Sequence, residues 1–268
     1  MLSYLTTAFS LIVFAPVTAI LYLTITKKLR LRPVLYGAMC FVCVSVLQQL
    51  IYIAVGSFIS SNAAAVVTLQ SAVSICDAIF ILLLIYGKLL QNEASFRDSL
   101  GCGVGMASLW VICTVGKTLF FSMMVGVMIT DGDTTGMDAE ALSAFDAVKQ
   151  QYINTGLSDY ILLTVSGIAM FAVFTAVSVL LFEYNKSKDR KLLIYAAVSL
   201  MMTYPLFFLA ESGGVNVYLQ IFMAAAAIAA IVYIVHESKK YPSALEVPFV
   251  RVSPLEGRDF TRRIKRRK

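Results

Sequence analysis

The 268-residue chain is 59% hydrophobic and 14% charged, with a mean hydropathy of +0.80. So little polar surface excludes a water-soluble domain of this length and leaves one membrane-embedded domain. The net charge of +6 does not point to nucleic acid: ten of the 22 Lys and Arg follow His236, directly behind an apolar run, where the bilayer and its anionic headgroups are the expected partners.

Seven apolar runs follow one another along the chain: Leu5 to Thr26, Pro33 to Ser60, Ala65 to Leu89, Leu100 to Thr130, Tyr160 to Glu183, Lys191 to Ala210 and Val215 to His236. Each is long enough to cross hydrocarbon as a helix. The first run has no basic segment before it and is followed by Lys27, Lys28, Arg30 and Arg32 where a signal peptide would have a small-residue cleavage site. It reads as a retained span.

Bases occupy alternate gaps. They fill the first gap, return as Lys88 and Arg97 in the third, and as Lys186, Lys188, Arg190 and Lys191 in the fifth. The second and sixth gaps have none, and the fourth carries Asp131, Asp133, Asp138, Glu140, Asp146 and Asp159 against a single Lys149. Because Lys and Arg near span ends are retained in the cytoplasm, this predicts an all-α, polytopic seven-transmembrane-helix bundle with its N-terminus outside and its C-terminus cytoplasmic. The expected division is a transmembrane domain over 1–238 and a basic cytoplasmic tail over 239–268. A bacterial plasma membrane is the expected location, as a multi-pass protein.

Runs two and four exceed what the hydrocarbon needs, so tilt, kinks or helix beyond the headgroups are expected there. In the fourth, Gly101, Gly103 and Gly105 lie close together, the pattern of closely approaching helices. No Lys-Ser or Lys-Thr follows at the spacing of a phosphate loop. Within the outer loop of about 131–159, Leu142, Phe145, Val148 and Tyr152 recur at helical spacing, predicting an amphipathic surface helix from Ala139 to Ile153. In the tail, Pro242, Pro248 and Pro254 break any helix, and Arg262, Arg263, Lys265, Arg266, Arg267 and Lys268 form a lipid-contacting basic cluster.

Charged side chains inside spans are costly and mark candidate sites. Asp77 lies on span three and Lys117 on span four, roughly 16 Å and 25 Å from the cytoplasmic ends of their spans at about 1.5 Å rise per residue. Three arrangements accommodate them: an ion pair between the two helices, a proton or cation site at Asp77, or Lys117 extended to the outer headgroups above a protonated Asp77. The cysteines Cys40, Cys43, Cys76, Cys102 and Cys113 all fall within spans, which argues against a disulfide framework, and the Cys40/Cys43 spacing reads as packing. The single histidine, His236, ends span seven, where it complements the helix C-terminus.

The stretch Ser74-Ile75-Cys76-Asp77 through Tyr86-Gly87-Lys88, then Arg97-Asp98-Ser99 to Gly101-Cys102-Gly103-Val104-Gly105, resembles the YhfC family of intramembrane metalloproteases. Leu35-Tyr36-Gly37-Ala38 with Gln48 and Gln49, Phe174 to Leu180, and Tyr195-Ala196-Ala197 extend the likeness over most of the chain. The resemblance implies a helical bundle whose Glu and His residues gather a catalytic metal and water for intramembrane peptide hydrolysis. This chain departs at those positions. Cys76 and Asp77 stand at the paired Glu, Phe80 at the Arg, Val104 at the first His, Ser108 at the following Glu, and Phe174 and Met201 at the later His positions.

Valine, phenylalanine and methionine supply none of the ligands that zinc hydrolysis needs, so no metal and no cofactor is expected. The resemblance and its departures imply a catalytically degenerate protein, leaning away from an enzyme, that binds lipid or another membrane protein through the former substrate groove between spans three, four and five. A small transporter using Asp77 as a proton or cation site is the alternative from a different class, and a residual peptidase is a third.

Overall fold

A computed structural model describes residues 2–25, 29–59, 63–89, 95–131, 139–154, 156–211 and 217–241. Among them every element is helical. The helices are α1 (Leu2–Ile25), α2 (Leu31–Ile59), α3 (Ala63–Leu84), α4 (Phe96–Val111), α5 (Lys117–Asp131), α6 (Ala139–Asn154), α7 (Leu157–Ser187), α8 (Arg190–Glu211) and α9 (Val217–Ser238). A π-helical turn, Ile85–Leu89, extends α3, and another, Ile112–Gly116, joins α4 to α5 in one rod.

Five stretches among the described residues are long and apolar enough to cross a membrane: Leu2–Ile25, Leu31–Leu50, Phe96–Thr130, Leu157–Ser187 and Ile221–Ser238. That is the makeup of a multi-pass membrane protein. Helices α3 and α8 coincide with the third and sixth apolar runs. The amphipathic segment predicted over Ala139 to Ile153 is α6, where Tyr152 covers Gly126 of α5 so closely that a Cβ there would lie 2.6 Å from its hydroxyl. Leu142 of the predicted stripe is exposed and Phe145 half-buried, while the side chain of Val148 lies outside the described ones.

Helix α7 is the axle of the bundle. It packs against α4, α8 and α9 and also touches α1 and α3. From Tyr160 to Phe182 nearly all its side chains are buried, which suits a sequence that is apolar all round with no polar stripe. The surrounding helices invert the usual arrangement of a soluble protein, with Phe14 and Tyr22 of α1, Ile53 of α2, Phe121 of α5, Met201 of α8 and Ile228 of α9 all exposed. Apolar surface on that scale, shared by every peripheral helix, suits a hydrocarbon solvent.

Small residues set the closest contacts. A Cβ on Gly37 would strike the carbonyl of Cys102, and one on Gly105 would strike the carbonyl of Val34, so α2 and α4 touch backbone to backbone. Gly103 turns the other way, where a Cβ would lie 2.8 Å from the Cα of Thr175 on α7. Near this junction the buried Tyr86 hydroxyl donates to the Ser178 carbonyl at 3.0 Å, and Ser178 Oγ donates to the Ser99 carbonyl at 2.8 Å. These bonds tie the end of α3 to α7 and α7 to α4.

Helix α4 begins four residues before the apolar run that predicted it, because Ser95 caps it. Ser95 Oγ accepts from the Asp98 backbone N–H at 3.3 Å, while Asp98 Oδ2 accepts from the Ser95 N–H at 2.9 Å and from its hydroxyl at 2.8 Å. This reciprocal cap satisfies donors that a helix start otherwise leaves free. At the far end of α7, Lys188 takes the left-handed conformation with φ of 57° and donates its N–H to the Tyr184 carbonyl at 2.7 Å. Asp189 Oδ1 then accepts from the Lys191 N–H at 3.0 Å, starting α8 after a two-residue turn.

Candidate functional site

The described positions singled out in the sequence are spread over several helices. Asp77 falls on α3, with its side chain outside the described ones. Lys117 opens α5 directly after the π turn; it is exposed, with its Nζ 5.9 Å from the centre of the Phe121 ring. The neighbours of α3 are α2, α7 and α8, whereas α5 packs against α1 and α6, so the two charges sit on helices facing different partners.

The positions carried by the resemblance divide between surface and core. Cys76, Phe80 and Met201 are exposed, and Val104 is half-buried. Ser108 is buried, donating its hydroxyl to the Val104 carbonyl at 2.7 Å, and Phe174 is buried against Trp110 with ring centres 5.4 Å apart. Among the described residues no three His, Cys, Asp or Glu side chains converge closely enough to hold a metal ion. Cys40 and Cys102 are buried, Cys43, Cys76 and Cys113 exposed, and all five are free thiols. Arg262, Arg263, Lys265, Arg266, Arg267 and Lys268 lie outside the described residues.

Polar groups instead gather where the start of α4 meets the ends of α7 and α9. Tyr241, just past α9, organises this end. Its ring stacks on Phe96 at 5.5 Å with 16° between planes and meets Phe182 edge-on at 6.4 Å, and its hydroxyl donates to Glu183 Oε1 at 2.7 Å. Burial, with Glu183 as acceptor, pushes the Tyr241 hydroxyl up to about 12. Lys186 lays its ammonium over the same aromatic surface, 4.5 Å from the Phe182 ring centre and 4.9 Å from that of Tyr241.

Glu237, in the last turn of α9, is 5% exposed. Its Oε1 accepts from Lys240 Nζ at 2.7 Å, an ion pair that raises the Lys240 pKa, but its Oε2 has no hydrogen-bond partner. One turn earlier the Tyr233 hydroxyl is also buried and unpartnered, within the electrostatic reach of Glu237, Glu183 and Tyr241. Buried polar atoms are nearly always paired, so two orphans on one face are unusual. Asp98 belongs to the same end: Arg30 approaches its Oδ2 at 3.7 Å, while Oδ1 and the neighbouring Arg97 Nε remain unpartnered.

Exposed bases meet this cluster: Arg30 at Asp98, Lys186 over Phe182 and Tyr241, and Lys240 on Glu237, with Lys239 exposed next to Lys240 in the chain. Carboxylates inside and ammonium groups at the rim give the site two layers of opposite charge. Among the described residues this end of the bundle offers hydrogen-bond acceptors and cations.

Of these residues the sequence had marked His236, which is exposed at the α9 terminus as expected, and the bases. It had not marked Glu183, Glu237, Tyr233 and Tyr241 as a group. A readable signal existed in part, since Ser95 followed three residues later by Asp98 is a capping pattern and Glu183 and Glu237 are acids stranded in basic gaps. No protein-family profile matches the chain, and neither the curated proteins nor the solved structures contain a match.

Proposed function

We propose that this chain is a non-hydrolytic binding protein of the plasma membrane, with seven spans, its N-terminus outside and its C-terminus cytoplasmic. In this reading it is a catalytically degenerate counterpart of the intramembrane metalloproteases it resembles, and its ligand is a lipid engaged at the basic end of the bundle. The observation that carries the reading is the pair of buried, unpartnered acceptors, Glu237 Oε2 and Tyr233 Oη, beneath a rim of lysines at a membrane boundary. An unsatisfied buried group costs about 1–3 kcal/mol, a cost that a bound ligand would offset.

Basic residues in alternate gaps support the orientation, which puts this rim beside the anionic inner leaflet. The test is lipid analysis of protein extracted from membranes of known composition and purified without added lipid. Retention of one lipid class well above its bulk share is expected. Lipid retained in bulk proportion would overturn the reading.

A further inference from the structure

The orphaned atoms define the ligand more narrowly. We infer that the polar cluster at the ends of α7 and α9 binds the phosphoethanolamine headgroup of an aminophospholipid, its ammonium held by Glu237 Oε2 and the Tyr233 hydroxyl and its phosphate by the lysines of the rim. This rests on the lipid-binding reading above and names the lipid.

Four features converge on that chemistry. The inner layer can take donors: Glu237 Oε2 is an unpartnered carboxylate oxygen on a side chain 5% exposed, and Tyr233 Oη, one helical turn earlier, can accept as well as donate and also lacks a partner. The site already accepts ammonium groups, for Lys240 Nζ sits on Glu237 Oε1 at 2.7 Å and Lys186 Nζ lies over Phe182 and Tyr241. A primary ammonium has three N–H donors for such acceptors, whereas a trimethylammonium has none. The outer layer is cationic, with Lys186, Lys239 and Lys240 exposed, so a phosphate following the ammonium outward meets opposite charge.

Other ligands fit less well. A hard divalent ion takes six or more oxygens, and this cluster brings two carboxylates, Glu237 already bonded to Lys240 and Glu183 to Tyr241. A headgroup with an added carboxylate would set a second anion against Glu237. The side chain of Lys240 is 56% exposed, so it can swing outward from Glu237 and follow the phosphate.

The experiment uses the full chain in lipid nanodiscs containing equal parts of phosphatidylethanolamine and phosphatidylcholine, read by native mass spectrometry of retained lipid. Wild type is expected to retain phosphatidylethanolamine about tenfold over phosphatidylcholine, the order of one charge-assisted hydrogen bond. Glu237→Gln and Tyr233→Phe should each bring that ratio close to one. Tyr233→Phe also removes an orphaned hydroxyl, so its melting temperature in lipid-free detergent should equal or exceed that of wild type, which separates lost binding from lost fold.

Discs with phosphatidylglycerol in place of phosphatidylethanolamine test the rim alone; equal retention of that amine-free lipid would overturn the inference. Soluble phosphoethanolamine distinguishes the source, and the lipid assignment fails if it stabilises the protein at lower concentration than the lipid does. Strong enrichment of some other lipid would sink this inference and leave the binding function standing. Unselective retention would sink both.

Discussion

Gly105→Ala probes the contact on which the bundle is built. A Cβ at this position would strike the carbonyl oxygen of Val34, with the carbonyl carbon at 2.8 Å and the Cα at 3.1 Å. All three are backbone atoms of α2, so no rotamer change relieves the clash and the two helices must separate. Overpacking of this kind costs about 1–3 kcal/mol, and alanine returns about 1 kcal/mol through helix propensity. A net loss of about 0–2 kcal/mol remains, which corresponds to a fall of up to roughly 8 °C in melting temperature.

Gly116→Ala is the matched control, because a Cβ there meets nothing closer than 3.6 Å, a methyl of Val13. It should be neutral or stabilising by up to about 1 kcal/mol. Circular dichroism of both variants in one detergent during heating measures the difference. Equal stability of the two would refute the backbone-to-backbone packing of α2 on α4.

Asp77→Asn and Lys117→Gln should be additive in stability to within about 0.5 kcal/mol, since their helices have different neighbours; a coupling well above this in a double-mutant cycle would show the two charges to be paired. Lys188→Gly should stabilise by about 1 kcal/mol in chemical unfolding, because it removes the strain of a side chain at φ of 57°; a loss would mean that the Lys188 Nζ bond to Asn185 at 2.9 Å outweighs that strain. For Tyr241 the folded pKa is raised, so its contribution to stability is complete below the unfolded value of 10.0 and is lost as pH rises through about 12. An ultraviolet titration comparing wild type with Tyr241→Phe should therefore show the missing tyrosine ionising near the upper value, and a difference centred near 10 would contradict the burial of Tyr241 and its bond to Glu183.

Hydropathy and composition carried most of the architecture, because in a bilayer the solvent dictates both element type and length. The seven runs fall on α1, α2, α3, the α4–α5 rod, α7, α8 and α9, with five stretches among the described residues long and apolar enough to cross a membrane, and the amphipathic stripe ending at Ile153 falls on α6. Gly101, Gly103 and Gly105 signalled close approach, and the structure sends Gly105 toward α2 and Gly103 toward α7. The π turns at Ile85–Leu89 and Ile112–Gly116 have no comparable signature, since one extra residue in a turn changes no periodicity that an apolar segment displays.

The candidate site was hardest to read. Phe96, Glu183, Glu237 and Tyr241 come from three helices and the segment beyond the last, and only packing of α4 and α9 onto α7 brings them together. A search for charges deep in the spans favoured Asp77 and Lys117, while the unpartnered acceptors lie at helix ends, where acids look ordinary in a sequence.

The claim that this bundle binds and does not cut meets its most direct test in elemental analysis of the protein purified without chelator. Substoichiometric zinc, with no cleavage of a transmembrane peptide after zinc is added, is the expected result. One tightly held zinc per chain together with chelator-sensitive cleavage would contradict it.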